Sequence, residues 1–321
     1  MMIKLQQLHR VVLLFALSPA IAWSMQTLDD QTLGETVAQD GVTVTIGTAA
    51  SNNGRIGFDR LSLQDSDGFG TMTGPASIGY FANTSGGGGV AFYSGAAGTT
   101  AIANPIKIIM DADGNSTANA VFNASLVFEN LTRINLPAFA IALTADSAVH
   151  KTNPGNHNII ANSRRDIIKI GGTGLDIKFG SGGDLRFNVQ LGNQPQGHMI
   201  KFTGGSITQI RNDPSSPIEL VSNNSVASGN SSLKLNFDLS AANMTTGISM
   251  VGFYGDIVNS GLVLGKDGTT DKFNLTLSNI VAGTTGSQSA TSFNNLKNAS
   301  IGTIGLVGAS VTNLKMTVKG L

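Results

Sequence analysis

Cysteine is absent from the 321 residues. That excludes a thiol nucleophile, a CxxC redox pair, a thiolate zinc site and any disulfide, so the fold must draw its stability from packing. Charge is also scarce. Charged residues make up 12% against about 25% in ordinary globular chains, which excludes coiled coils and salt-bridged helical proteins. The 20 basic and 20 acidic residues cancel, so there is neither the basic footprint of a nucleic-acid binder nor a field steering the chain to anionic membranes. Glutamate is limited to Glu35, Glu129 and Glu219, and tryptophan to Trp23. Aspartates could face one another across a glycosidic bond, but those in view are expected in turns or on alternate strand faces. No Gly-x-Ser-x-Gly elbow occurs, and the residues are read as non-enzymatic.

What is present is glycine, 40 residues of it, with 41% hydrophobic residues and a mean hydropathy of +0.11, enough to build a core and too apolar for a charge-swollen disordered chain. Lys4 and Arg10 precede and flank the apolar run Val11–Leu17, then Ser18-Pro19 and the small residues Ala20, Ala22 and Ser24. This order predicts a secretory signal peptide over 1–24, with cleavage after Ser24 preferred to cleavage after Ala22. The run is shorter than the ~20 residues a spanning helix needs, so no membrane span is expected in the mature chain. Residues 25–41 form a short N-terminal motif in which Thr27–Asp30 resembles a capping box before Leu33 and Val37, predicting one or two helical turns.

From 42 to 321 the period changes to two, the signature of half-buried strands. Val42, Val44 and Ile46 alternate with Thr43 and Thr45; Leu175, Ile177 and Phe179 with Asp176 and Lys178; Leu185, Phe187, Val189 and Leu191 with Arg186, Asn188 and Gln190. Leu314, Met316 and Val318 stand opposite Lys315, Thr317 and Lys319 at the end of the chain. The four-residue loops 171–174 and 180–183 are glycine-rich and too short for parallel crossovers, so they predict β-hairpins. The expected fold is all-β, mainly an antiparallel meander forming a large sandwich or barrel-like unit, with a β-solenoid as the alternative. Asn83 to Asn104, holding Ser85 followed by the glycine run 86–89, is expected to be a loose excursion between sheet segments.

Two stretches carry oxygen ligands at alternate positions: Asp65 and Asp67 before Gly68, and Asp111 and Asp113 before Gly114 and Asn115. Such spacing opens calcium loops, and these five residues are the candidate calcium ligands. Counted from Asp111 the sixth position is Ser116 and the twelfth Phe122, so the EF-hand pattern is not met. Asp-Gly is equally the preferred pair of tight turns, and plain turns are the first expectation. Otherwise no cofactor is expected. His150 and His157 flank Asn153-Pro154-Gly155, a turn without a ligand scaffold, and His198 stands alone.

The stretch from Met25 to Val44, through Leu28, Asp30, Leu33, Val37, Gln39 and Gly41, resembles the opening of a group of secreted proteobacterial proteins, among them the Fil-type pilus-system proteins of Acinetobacter. Ala38 stands where that group usually has Gly. The resemblance spans about twenty residues and implies export and surface assembly, with no catalytic residues. It leads to an exported, non-enzymatic structural or adhesion-related protein of a pilus or other Gram-negative cell-surface assembly, located in the periplasm, on the outer surface or in the pilus (fimbrium). Its partners would be other pilus or surface-assembly proteins. The alternatives are an outer-membrane β-barrel, opposed by the lack of aromatic girdles with tyrosine restricted to Tyr80, Tyr93 and Tyr254, and a β-solenoid polysaccharide-degrading enzyme.

Overall fold

The computed structural model describes residues 41–48, 54–65, 76–83, 88–113, 120–145, 163–180, 183–223, 231–283 and 300–319. The chain divides into two units, Met1–Gly41 and Val42–Leu321. The signal-peptide segment, the short N-terminal motif up to residue 40, His150, His157, Asp67 and Asn115 lie outside the described residues. Within Val42–Leu321 the described residues form strands and no helix.

The strands are β1 (Val42–Ile46), β2 (Arg55–Ile56), β3 (Arg60–Asp65), β4 (Ala76–Ala82), β5 (Val90–Ser94), β6 (Thr100–Ala101), β7 (Ile106–Asp113) and β8 (Val121–Phe128). There follow β9 (Arg133–Leu136), β10 (Phe139–Ala145), β11 (Arg165–Ile170), β12 (Leu175–Phe179), β13 (Leu185–Gly192), β14 (Ile200–Gly204), β15 (Ser206–Asn212) and β16 (Ile218–Asn223). The remainder are β17 (Ser231–Ala241), β18 (Ile248–Ser249), β19 (Phe253–Val258), β20 (Gly261–Lys266), β21 (Phe273–Ala282), β22 (Ile304–Ala309) and β23 (Lys315–Val318). The fold is all-β and antiparallel. One sheet has eight strands in the order β1-β7-β8-β13-β14-β19-β20-β23, and one of the two sheets curls as a half-barrel. The other, of fifteen strands, runs β2-β5-β9-β12-β15-β17-β16-β11-β10-β4-β3, with β6, β18, β21 and β22 beside it. Antiparallel pairing in every ladder is unlike the stacked parallel coils of a solenoid.

The two sheets are successive segments of the same long ribbons. Each ribbon leaves the eight-stranded sheet through a bend and continues in the other: β8 into β9, β13 back into β12, β14 into β15, β19 back into β18, β20 into β21, β23 back into β22. At each bend one residue has positive φ: Asn130 (57°), Gly183 (105°), Gly205 (87°), Gly252 (86°), Gly268 (74°) and Asn313 (50°). Glycine and asparagine are the residues that reach this region at low cost. Neighbouring bends are tied together. Asn130 N–H donates to Asp184 Oδ1 at 2.9 Å, Met250 N–H to the Gly205 carbonyl at 2.9 Å, Asp267 N–H to the Gly252 carbonyl at 2.9 Å, and Asn313 N–H to the Gly268 carbonyl at 2.8 Å.

A second line of bends lies in the larger sheet, where β9 passes into β10 at Pro137, β11 into β12 at 171–174, and β15 into β16 at 213–217. Here the sheet forks: β17 pairs with β16 through Ser231–Leu235 and with β15 through Asp238–Ser240. The strands flanking 171–174 and 180–183 therefore do not pair as hairpins, because β11 pairs with β10 and β16, β12 with β9 and β15, and β13 with β8 and β14. Positive-φ glycine permits either outcome; the choice is made by which neighbours the flanking strands find. The glycine-rich stretch after Asn83 likewise gives up part of its length to β5 and β6.

Apolar side chains gather inside the bends. Phe92, Leu131 and Leu185 are buried between the sheets with Ile106, Phe128, Ile134, Phe179 and Phe202 packed on them. Tyr80, Phe139 and Ile170 form a second core near the fork. The Tyr80 ring lies 4.9 Å from Phe139 and 5.1 Å from Phe58, and its hydroxyl accepts a bond from Gly89 N–H at 3.1 Å. Aromatic packing of this kind adds to area burial.

Candidate functional site

The eight-stranded sheet has one apolar and one polar face, and the ladders connect each across its full width. Val42, Met110, Ala124, Val189, Ile200, Gly255, Leu264 and Met316 are successive cross-strand partners. One residue along, Thr43, Ile109, Ser125, Asn188, Lys201, Tyr254, Gly265 and Lys315 form the adjoining row on the opposite face. Alternation at period two produces this division directly.

Among the described residues both ends of that sheet are unpaired edges in the ladder order. All five residues of β1 are exposed. At the other end all four residues of β23 are exposed, as are five of the six in β22, which forms an edge beside β21. Large apolar residues are among those exposed: Val307 is 85% exposed, Ile304 62%, Met316 51% and Val318 41%. The alternation at 314–319 predicts a half-buried strand, but among the described residues β23 finds no strand beyond β20, and Leu314, Met316 and Val318 stay 40%, 51% and 41% exposed. A continuous exposed apolar edge of this kind marks a binding surface or an aggregation liability.

A cluster of ionisable groups lies where β14 starts on the polar face. His198 Nδ1 is 2.7 Å from Asp256 Oδ2, and Nε2 is 3.4 Å from Asp267 Oδ2. The imidazole stacks on Tyr254 at 3.8 Å with the rings 12° apart. Met199 N–H donates to the other oxygen of Asp256 at 2.7 Å, and Lys201 Nζ is 3.9 Å from Asp267. Both ring nitrogens thus face carboxylates, Nδ1 in a short hydrogen bond and Nε2 at a longer distance from the half-exposed Asp267. The arrangement ties the start of β14 to β19 and to the bend after β20. Residues 198, 256 and 267 are too far apart in the chain for a motif to announce them.

A shallow depression of about 350 Å³ is lined by Thr132, Arg133, Lys178, Thr208, Met244 and Thr245, among others. Its groups are mostly engaged. Arg133 is paired to Asp176 at 2.7 Å and lies over Tyr93 at 5.0 Å. Thr132 Oγ1 donates to the Gly95 carbonyl at 2.9 Å and Thr208 Oγ1 to the Lys178 carbonyl at 3.2 Å.

Of the candidate calcium ligands, Asp65, Asp111 and Asp113 lie among the described residues. Asp65 ends β3 in the larger sheet, whereas Asp111 and Asp113 belong to β7 in the smaller one. The latter two are exposed strand residues and not turn residues, because β7 stays paired with β8 as far as Asp113, opposite Val121. Asp111 Oδ1 accepts a bond from Ala112 N–H at 2.8 Å. Among the described residues no three histidine, aspartate or glutamate side chains are grouped to hold a metal ion. Arg164 bonds Asp166 at 2.6 Å and Asn83 at 2.9 Å, fastening the start of β11.

Carboxylates elsewhere are held ionised by local donors. Asp213, between β15 and β16, has its pKa lowered from 3.8 to about 2 by the Ser215 hydroxyl and by the backbone N–H groups of Thr173 and Ser215. For Glu219 burial, the largest influence, raises the pKa, but hydrogen bonds from Ser232 and Lys169 and the charges of Lys169 and Lys234 outweigh it and the net shift is downward. No helix among the described residues is long and apolar enough to cross a membrane. The chain matches no protein-family model, no curated protein and no solved structure.

Proposed function

We propose that this chain is an exported, non-enzymatic structural subunit of a pilus or other cell-surface assembly, working through its sheet edges and apolar faces. The observation that carries this reading is the edge formed by β22 and β23, unpaired among the described residues and exposing Ile304, Leu306, Val307, Met316 and Val318. Export follows from the Lys4 to Ser24 segment, and surface assembly from the resemblance over Met25 to Val44. The lack of aromatic girdles, with tyrosine restricted to Tyr80, Tyr93 and Tyr254, favours this reading over an outer-membrane barrel.

The test is to shear the surface structures from intact expressing cells after crosslinking and to probe the sheared material for this chain. The expected result is the processed chain in high-mass crosslinked products that disappear when Ile304, Leu306 and Val307 are together changed to Asp. Recovery of only uncut chain from the cytosol, or crosslinked products indifferent to that triple change, would overturn the reading.

A further inference from the structure

The two edges of the eight-stranded sheet fit each other. Seven antiparallel pairings separate β1 from β23. An odd number of reversals makes these two strands run in opposite directions. If a second copy is placed beside the first by translation, its β1 therefore arrives antiparallel to β23, continuing the alternation of the sheet. The side chains agree as well. Val42 and Met316 lie on the same face, since one row of partners joins them, and Thr43 and Lys315 share the other.

We infer that copies of this chain associate head to tail by pairing β23 of one with β1 of the next. The register that opposes Met316 to Val44 also sets Val318 against Val42 and Leu314 against Ile46, three apolar pairs on one face. On the other it sets Thr317 against Thr43 and Lys315 against Thr45. Cross-strand pairs of these types stabilise a sheet, and no like charges meet. Lysine on an edge strand usually discourages pairing, but Lys315 faces Thr45 here and keeps its ammonium on the polar face. Contact between two different patches of one molecule is heterologous, and it propagates into a filament or closes into a ring. A dimer that buries both edges symmetrically is not expected. This inference deepens the surface-assembly reading and rests on it for its biological setting.

The chain has no cysteine, so introduced thiols report directly. Val44→Cys and Met316→Cys are made singly in the full-length exported chain, both at exposed positions; directly opposed strand residues lie within the Cα separation a disulfide accepts. On mild oxidation, mixing the two variants should give a disulfide-linked dimer, and a chain carrying both substitutions should give a ladder of multimers. Each variant alone, and Thr43→Cys mixed with Met316→Cys, should give at least tenfold less. The unsubstituted chain should show a mass that rises with concentration in sedimentation. Dimers formed as readily by one variant alone, or no crosslink together with a strictly monomeric unsubstituted chain, would overturn the inference. A monomeric chain that still reaches surface material through β22 would leave the surface reading standing. A chain that forms the ladder but stays uncut in the cytosol would remove that reading and leave the pairing intact.

Discussion

The side-chain amide of Asn212 donates to Oδ1 of Asn236 at 3.1 Å, where the larger sheet forks. Asn212 is 2% exposed. Its amide also reaches the carbonyls of Asp213 at 2.8 Å and Ser216 at 3.0 Å, while its Oδ1 accepts a bond from Phe237 N–H at 2.7 Å. Asn236 in turn donates to the Pro214 carbonyl at 3.0 Å. The two asparagines thus satisfy backbone groups that the ladder abandons where β17 changes partner from β16 to β15. A polar group left unpaired there cannot turn to water.

Replacing Asn212 by Ala should consequently lower stability by about 2–4 kcal/mol, since one orphaned buried donor alone costs about 1–3 kcal/mol. Urea unfolding should show the midpoint falling with the slope preserved. Asn212→Ala combined with Asn236→Ala should cost less than the sum of the two, because the residues share a network. Strict additivity would mean that the bends hold without the pair.

Gly205 poses a different constraint. Its φ is 87°, and a Cβ there would come within 2.8 Å of the Leu185 Cα on the neighbouring ribbon. Gly205→Ala combines left-handed strain of roughly 1–2 kcal/mol with a backbone clash, and should destabilise by about 2 kcal/mol or more. Asn130, at the equivalent bend with φ 57°, should accept Gly within about 0.5 kcal/mol, because its bond to Asp184 is made by backbone N–H. Thermal melts of the two variants side by side decide this. Equal losses would show that the bends are held by contacts other than backbone conformation.

How far these features can be read from the residues depends on the range of the interaction that makes them. Alternation around Val42, Leu175, Leu185 and Lys315 is local, and each of these stretches is a strand. The glycines at 171–174 and 180–183 are equally visible in the sequence, but whether they close a hairpin or bend a ribbon depends on partners such as β9 and β15, which are distant in the chain. Burial was less legible still. Leu314, Met316 and Val318 alternate as a core-facing strand does, yet they sit on an edge. The His198 cluster joins residues 58 apart along the chain at its shortest ion pair, and no spacing announces such a pair.

Asp213 gives the fold an acid sensitivity with a defined sign. Its folded pKa of about 2 lies below the ordinary 3.8, so its contribution to stability is present above the unfolded value and is lost as pH falls through the folded one. Glu219 is shifted in the same direction. The melting temperature should fall as pH is lowered from about 3.8 to about 2. Asp213→Asn should be less stable than the parent at neutral pH, with the difference shrinking towards pH 2. A difference constant across that interval would mean that the carboxylate charge contributes nothing.

The edge at β22 separates assembly from folding. Val307 is 85% exposed, so almost none of its side chain leaves water when the chain folds. Val307→Lys should therefore alter stability by no more than about 0.5 kcal/mol, the usual range at exposed positions away from special features. A lysine on an unpaired edge discourages a further strand from joining. The variant should keep the parent unfolding curve and lose incorporation into sheared surface material. If Val307→Lys instead lowered stability by about 1.5 kcal/mol or more, a core-sized effect, the edge would have to be covered within the folded chain and the surface it offers to a partner would not exist.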